Sequence, residues 1–167
     1  MNVYHGTSKQ KFEQILKDRK IKKNIAREYE DTKDGYVYLA TNVIVAYYYG
    51  NIISMSENTE DVYILKINID KKQLKVDTDE KRVVFRNKEM REFTVEDSIN
   101  LLKTVRVDFD ISFDKYDIEY TKISNTYNAS PKEIEFLQKM CNAQTQKNLM
   151  TEELIKEAEE RYEWIKL

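Results

Sequence analysis

A chain of 167 residues with 41% hydrophobic and 35% charged side chains has material for one solvated globular domain and too little for two, and its pattern is neither disordered nor membrane-spanning. A formal net charge of −2 excludes a general electrostatic pull toward nucleic acid. One cysteine, Cys141, rules out an internal disulfide and a cysteine-rich zinc site, and one histidine, His5, removes most other metal sites, so no metal is expected.

Taken in chain order, residues 2–5 read as a short strand, and Thr7 with Gln10 has the spacing of a capping box that opens a helix. Phe12, Ile15 and Leu16 would form that helix's buried stripe. Residues 24–34 are charged and aperiodic, a loop ending at Gly35. "YVYLAT" (36–41) has strand composition, and "NVIVAYYYG" (42–50) reads as a helix capped by Asn42 and stopped by Gly50.

From residue 62 the period shifts toward two. Strands are expected at 62–69, 73–76, 82–86, 91–97, 103–111 and 117–123, with short polar connections that imply mostly antiparallel sheet. The last forty residues change character. Ser130, Pro131 and Glu133 announce a helix carrying Ile134, Leu137 and Cys141, and Thr151 caps another with Leu154, Ala158, Tyr162 and Ile165 along one side. The expected fold is α+β: a core over residues 1–127 and a helical hairpin over 128–167 packed on the same domain. No apolar run is long enough to cross a bilayer and the opening residues lack a signal-peptide pattern, so a cytoplasmic protein is expected.

Several chemistries fall away on residue types alone. Gly6, Gly35 and Gly50 are isolated and build neither a P-loop nor a dinucleotide turn. No serine sits in a Gly-x-Ser-x-Gly elbow. Cys141 lies on the apolar stripe of a predicted helix, where a core thiol is the ordinary meaning. The basic run 9–27 reads as a solvated helix and loop, with Lys23 or Arg27 as a speculative diphosphate contact.

Three stretches remain: "YHGT" (4–7), "GYVYLATNVIVAYYYG" (35–50) and "EFTVED" (92–97). In order, spacing and context they resemble the ADP-ribosyltransferase superfamily, in its diphtheria-toxin and poly(ADP-ribose) polymerase branch with a His-Tyr-Glu signature. The resemblance implies a split, mostly antiparallel sheet and NAD as substrate. It implies NAD contacts from His5, Gly6, Thr7, Tyr38 and Tyr49, the two tyrosines lying eleven positions apart as in the family, and catalysis by Glu92. The side chains permit these roles. A histidine can bond a ribose hydroxyl, a glycine lets backbone reach a carboxamide, tyrosines can hold a flat cation, and a carboxylate can stabilise an oxocarbenium-like charge. Strand alternation would put Glu92, Thr94 and Glu96 on one face, away from Phe93 and Val95. Each residue also has a plainer reading: Thr7 as a helix cap, Tyr38 as a strand packing residue, Tyr47 or Tyr48 in place of Tyr49, and Glu96 or Glu119 as rivals of Glu92.

Met90 stands two positions before Glu92, so the Glu-x-Glu pair of the arginine-modifying branch is absent. Small size favours mono-ADP-ribosyl transfer to a macromolecule, with protein ahead of nucleic acid as acceptor. The composition, rich in Lys, Ile and Asn, suits a bacterial or phage effector or toxin. NAD hydrolysis and a catalytically inactive binding or inhibitory module are the alternatives, the last with a partner protein at the 128–167 hairpin.

Overall fold

Alternation of apolar residues along the central strands sends them to both faces of one sheet, and the helices cover each face. The computed structural model describes residues 1–24, 33–85 and 92–167. The chain is α+β, with six helices among the described residues and a mostly antiparallel sheet. The elements are β1 (Asn2–Ser8), α1 (Lys9–Asp18), β2 (Lys20–Ile21), β3 (Val37–Ala40), α2 (Val43–Ser56), β4 (Asp61–Asn68), β5 (Lys75–Val76) and α3 (Thr78–Val84). They continue with α4 (Val95–Asp97), β6 (Thr104–Val107), β7 (Ile111–Ser112), β8 (Ile118–Ser124), α5 (Pro131–Thr145), α6 (Glu152–Glu160) and β9 (Ile165–Lys166). No helix among the described residues is long and apolar enough to cross a membrane.

Seven strands lie in the order β5-β6-β3-β1-β4-β8-β9, and β2 pairs with β7 as a separate ribbon. On β1, Tyr4 joins one apolar cluster and Val3 the other; on β4, Val62 and Ile64 face one way and Leu65 and Ile67 the other. That period of two is why both faces are buried. One cluster packs the sheet against α2, α5 and α6, and the opposite one against α1 and the β2–β7 ribbon. Helix α2 is apolar nearly all round, as its place between sheet and hairpin requires.

The sheet is uneven at one seam. β1 pairs with β4 along its whole length, from Asn2↔Asn68 to Ser8↔Val62, but meets β3 only at Tyr4↔Ala40. Beyond that pair the two strands part.

Several expected elements differ. Thr7 belongs to β1, and Ser8 is the cap of α1, accepting from the Lys11 N–H at 3.4 Å; the strand continues because its partner β4 extends opposite it. Phe12 and Ile15 are buried but Leu16 is exposed. Asn42 caps α2 as expected, accepting from Val45 N–H at 3.0 Å. Gly50 does not stop that helix, which runs on to Ser56. A Cβ on Gly50 would lie 2.6 Å from Val62 Cγ1, so this glycine serves close packing of α2 on the sheet.

The strand expected at 82–86 is a helix through Val84, because Asp77 caps it and Asp79 and Glu80 occupy its first turn. Val83 and Val84 sit exposed on it, so their strand propensity finds no face to bury. The strand expected at 91–97 is likewise absent over 92–97. Thr94 and Asp97 form a reciprocal capping box that turns the chain into α4 and a π-helical segment, Ser98–Leu102. At the end of the chain Tyr162 and Ile165 lie beyond α6, and Ile165 enters β9, which pairs with β8. Residues 25–32 of the expected loop, with Arg27, and residues 86–91, with Met90, lie outside the described residues. The ends of that loop are tied by Asn24 and Tyr36 through a 3.0 Å backbone bond, and Gly35 takes a left-handed φ of 86°.

Candidate functional site

Where β1 and β3 part, a cleft of about 590 Å³ opens, walled by β1, β3, α1, α2 and the first turn of α3. His5, Gly6, Thr7, Tyr38 and Tyr49 all line it. Each reaches it from a different local cause.

His5 sits one residue past the last β1–β3 register pair. Its Nδ1 lies 3.1 Å from the Tyr38 carbonyl, so the ring replaces the ladder bond that the parting strands lose. A carbonyl only accepts, so Nδ1 carries the proton and Nε2 is the acceptor in the neutral ring. Gly6 has a packing cause: a Cβ there would stand 1.8 Å from the Ala46 carbonyl oxygen of α2. Its missing side chain lets helix and strand touch. Thr7 is 1% exposed, and its Oγ1 has no hydrogen-bond partner among the described residues. An unpaired buried hydroxyl costs about 1–3 kcal/mol, so a group that would satisfy it has something to gain.

Both tyrosines are anchored by their hydroxyls to α3. Tyr38 donates to the Asp79 carboxylate, and burial, followed by that bond, pushes its phenol up to about 12. Tyr49 donates to Glu80 Oε2 at 2.9 Å; burial above all, then the charge of Glu80, raises its phenol strongly. Both remain protonated donors at neutral pH. Of the three consecutive tyrosines, Tyr47 is fully buried with its hydroxyl on the Ser124 carbonyl at 3.0 Å. Tyr48 is half-buried, edge-on to Tyr49 at 5.3 Å.

Asp79 is 3% exposed, and Arg106, directly across from Tyr38 in the β3–β6 register, reaches it at 3.3 Å. The Arg106 guanidinium also lies over the Tyr36 ring, 3.9 Å from its centroid. Asp77 caps α3 by accepting from the Asp79 and Glu80 N–H groups at 3.1 and 3.0 Å, and burial raises its carboxyl. The acids Asp77, Asp79 and Glu80 therefore form one side of the cleft, and Lys11, Lys20, Lys22 and Lys23 line the α1–β2 side. Sequence reasoning passed over the three acids because they fall in the polar connection expected between strands at 73–76 and 82–86, where the structure has the cap and first turn of α3. Their signal was present: an Asp followed by two acids in a first turn is a helix start.

Glu92 is brought elsewhere. It is exposed on the coil before Thr94 and is not among the residues lining the cleft. Its rivals are also remote: Glu96 pairs with Lys71, and Glu119 pairs with Lys66 at 2.6 Å. Lys23 does line the cleft. Cys141 is half-buried on α5, where burial pushes its thiol up to about 11, consistent with an unreactive packing cysteine. Among the described residues no group of three or more His, Cys, Asp or Glu side chains is arranged to hold a metal ion. No family model, curated protein or solved structure matches the chain.

Proposed function

We propose that the cleft binds NAD and that the protein is a mono-ADP-ribosyltransferase that passes ADP-ribose to a macromolecular acceptor. The observation that carries this reading is the convergence of His5, Gly6, Thr7, Tyr38 and Tyr49, from β1, β3 and α2, on a single cleft. On this reading the sheet is the split sheet of that superfamily, and the parting of β1 from β3 is its NAD crevice. NAD is a dipolar ligand, with a flat cation at one end of a diphosphate. Asp77, Asp79 and Glu80 line the cleft with the two tyrosines, and Lys11, Lys20, Lys22 and Lys23 line it with Asp18, to which Lys22 is paired at 2.7 Å, so groups suited to each half are present. His5 meets a ribose hydroxyl, Thr7 Oγ1 meets the carboxamide, and Tyr38 and Tyr49 border the ring.

In the reaction the bond between ribose C1′ and the ring nitrogen breaks, its electron pair going to nitrogen, so nicotinamide leaves neutral. The acceptor's nucleophile then bonds to C1′ and its proton passes to solvent. A carboxylate near the ribose stabilises the oxocarbenium-like charge in between. Glu92, nominated by motif order, stands outside the cleft, whereas Glu80 lines it.

Adenylate-labelled NAD incubated with bacterial lysate tests the reading. Wild type should leave protease-sensitive, nuclease-resistant label. Absence of both transfer and NAD consumption in a folded wild-type protein would overturn it. Wild-type turnover in Glu92→Gln would remove Glu92 from the mechanism, and release of free ADP-ribose alone would make water the acceptor. A second reading, a non-catalytic binding module of the same fold, is favoured by the position of Glu92 and is supported by saturable NAD binding without turnover.

A further inference from the structure

We infer that the C-terminal segment, residues 161–167, is a clasp on the seam where β1 and β3 part, with Glu159 and Trp164 as positioning residues that hold the cleft at its width through Tyr4. The inference concerns how the cleft is built and stands whether or not NAD is its ligand.

The strand registers lay one row of residues across the sheet. Ala40 of β3 faces Tyr4 of β1, Tyr4 faces Lys66 of β4, Lys66 faces Glu119 of β8, and Glu119 faces Lys166 of β9. The row runs from the one register pair that joins β1 to β3 out to the last strand of the chain. Its middle is gripped by the C-terminal residues. The Tyr4 hydroxyl donates to Glu159 Oε1 at 2.7 Å, and the Trp164 Nε1–H donates to the Glu159 carbonyl at 2.9 Å. Glu159 is thus held by side chain and by backbone. The Trp164 ring stands 6.0 Å from the Tyr4 ring and carries the Lys66 ammonium over its face at 4.6 Å. Lys66 in turn pairs with Glu119 at 2.6 Å and reaches Glu159 at 3.8 Å.

Two soft places lie at the ends of this row. At one, β1 and β3 share a single register pair, and Tyr4 lines the cleft beside it. At the other, β9 pairs over two residues, Ile165 and Leu167 are exposed, and the Lys166–Asp117 ion pair at 3.0 Å is open to solvent, where such a pair adds little. Between them β1, β4 and β8 are paired along their lengths, so slack introduced at one end is taken up at the other. Closed, the clasp fixes Tyr4 against Ala40. Released, it leaves β1 and β3 free to part further. Because both events act on Tyr4, a ligand that binds between β1 and β3 in the closed state also tightens the clasp.

Hydrogen exchange read by mass spectrometry on the full chain at neutral pH tests this, with α1, which packs on the opposite face of the sheet, as internal reference. Trp164→Ala should speed exchange about tenfold in 161–167 and also in the seam peptides, 3–7 and 37–41, and leave α1 at the wild-type rate. Trp164→Phe keeps a ring over Lys66 and loses the indole N–H bond, so it should show the same pattern at smaller size even where alanine is not tolerated. A seam that stays at the wild-type rate while 161–167 is freed overturns the inference. So does an α1 that speeds up equally, which would mean a general loss of stability. Saturating NAD, the probe for the cleft, should slow exchange in 161–167 of wild type, and NAD that binds and leaves that segment unchanged overturns the inference. NAD that does not bind removes the NAD reading, and the seam in the Trp164 variants then decides the clasp by itself.

Discussion

Replacing Gly6 by alanine is the sharpest test of how the cleft is built. The added Cβ would stand 1.8 Å from the Ala46 carbonyl oxygen, 2.7 Å from its carbon and 3.2 Å from the Gly50 nitrogen. An ordinary carbon–oxygen contact needs about 3.2 Å or more, so a shift of roughly 1.4 Å is required. All three atoms are α2 backbone, so no side chain can swing aside. Helix α2 is itself caught between the sheet and α5 and α6. Alanine would lower the entropy of the unfolded chain by only about 0.5–1 kcal/mol, whereas overpacking costs about 1–3 kcal/mol and more where backbone must move. The contact wins, and a net loss of about 3 kcal/mol is expected, which for a chain of this length is roughly 6–12 °C in Tm.

Urea and thermal unfolding followed by circular dichroism measure this directly. Gly50→Ala provides an internal scale. Its Cβ would meet Val62 Cγ1, a side-chain atom, at 2.6 Å and backbone only at 3.0 Å (Thr7 nitrogen) and 3.1 Å (Gly6 carbonyl carbon), and alanine gains about 1 kcal/mol of helix propensity. It should therefore cost clearly less than Gly6→Ala. A Gly6→Ala protein within about 0.5 kcal/mol of wild type, or the reverse order of the two variants, would refute the account of strand and helix in backbone contact.

Asp79→Ala should destabilise by about 3 kcal/mol, read as a fall in Tm, because it strands the buried Arg106 guanidinium and leaves the Tyr38 hydroxyl without its carboxylate. Asp79→Asn should lose less, since an amide oxygen still accepts from both. Asp77 carries a raised carboxyl, so the folded state holds its proton more tightly than the unfolded chain does. Its contribution to stability is then lost as pH rises from about the ordinary value of 3.8 through the raised one. Wild type should lose stability relative to Asp77→Asn across that window, measured by urea unfolding at pH 4 and pH 7; a difference that is flat with pH would refute the burial argument.

How far the sequence was legible depended on what each local signal had to compete with. Asn42, Pro131 and Thr151 marked helix starts correctly because a cap acts within three residues and nothing else contests it. The strands β1, β3, β4, β6 and β8 carried a plain period of two or an apolar run, and all lie where both faces are buried. The errors cluster at residues 82–85 and 92–97, where β-branched residues were read as strand while Asp77 and the Thr94–Asp97 box turned the chain helical. There the caps won because each satisfies the first N–H groups of its turn within three residues. Glu92 was chosen on the strand expected at 91–97, and Glu80 fell in the connection expected between strands at 73–76 and 82–86. His5 and Thr7 were legible as cleft residues only through the family resemblance of "YHGT", and the Tyr38 carbonyl that His5 bonds was not legible, because only the parting of β1 from β3 creates it.

Framework and chemistry share the same bonds in this cleft. His5 ties β1 to β3, Tyr38 ties β3 to α3, and Tyr49 ties α2 to α3, so three of the residues best suited to meet a ligand also hold the walls at their spacing. Such walls are set before a ligand arrives, and little ordering remains to be done on binding. The same economy means that truncating any of these side chains moves the walls as well as removing a contact, so loss of binding in an alanine variant does not separate a ligand contact from a displaced strand or helix. Near-isosteric changes do: Glu80→Gln and Tyr49→Phe each keep the shape of the cleft and remove one charge or one donor. The chemistry of the cleft is therefore readable only through substitutions smaller than the hydrogen bonds that build it.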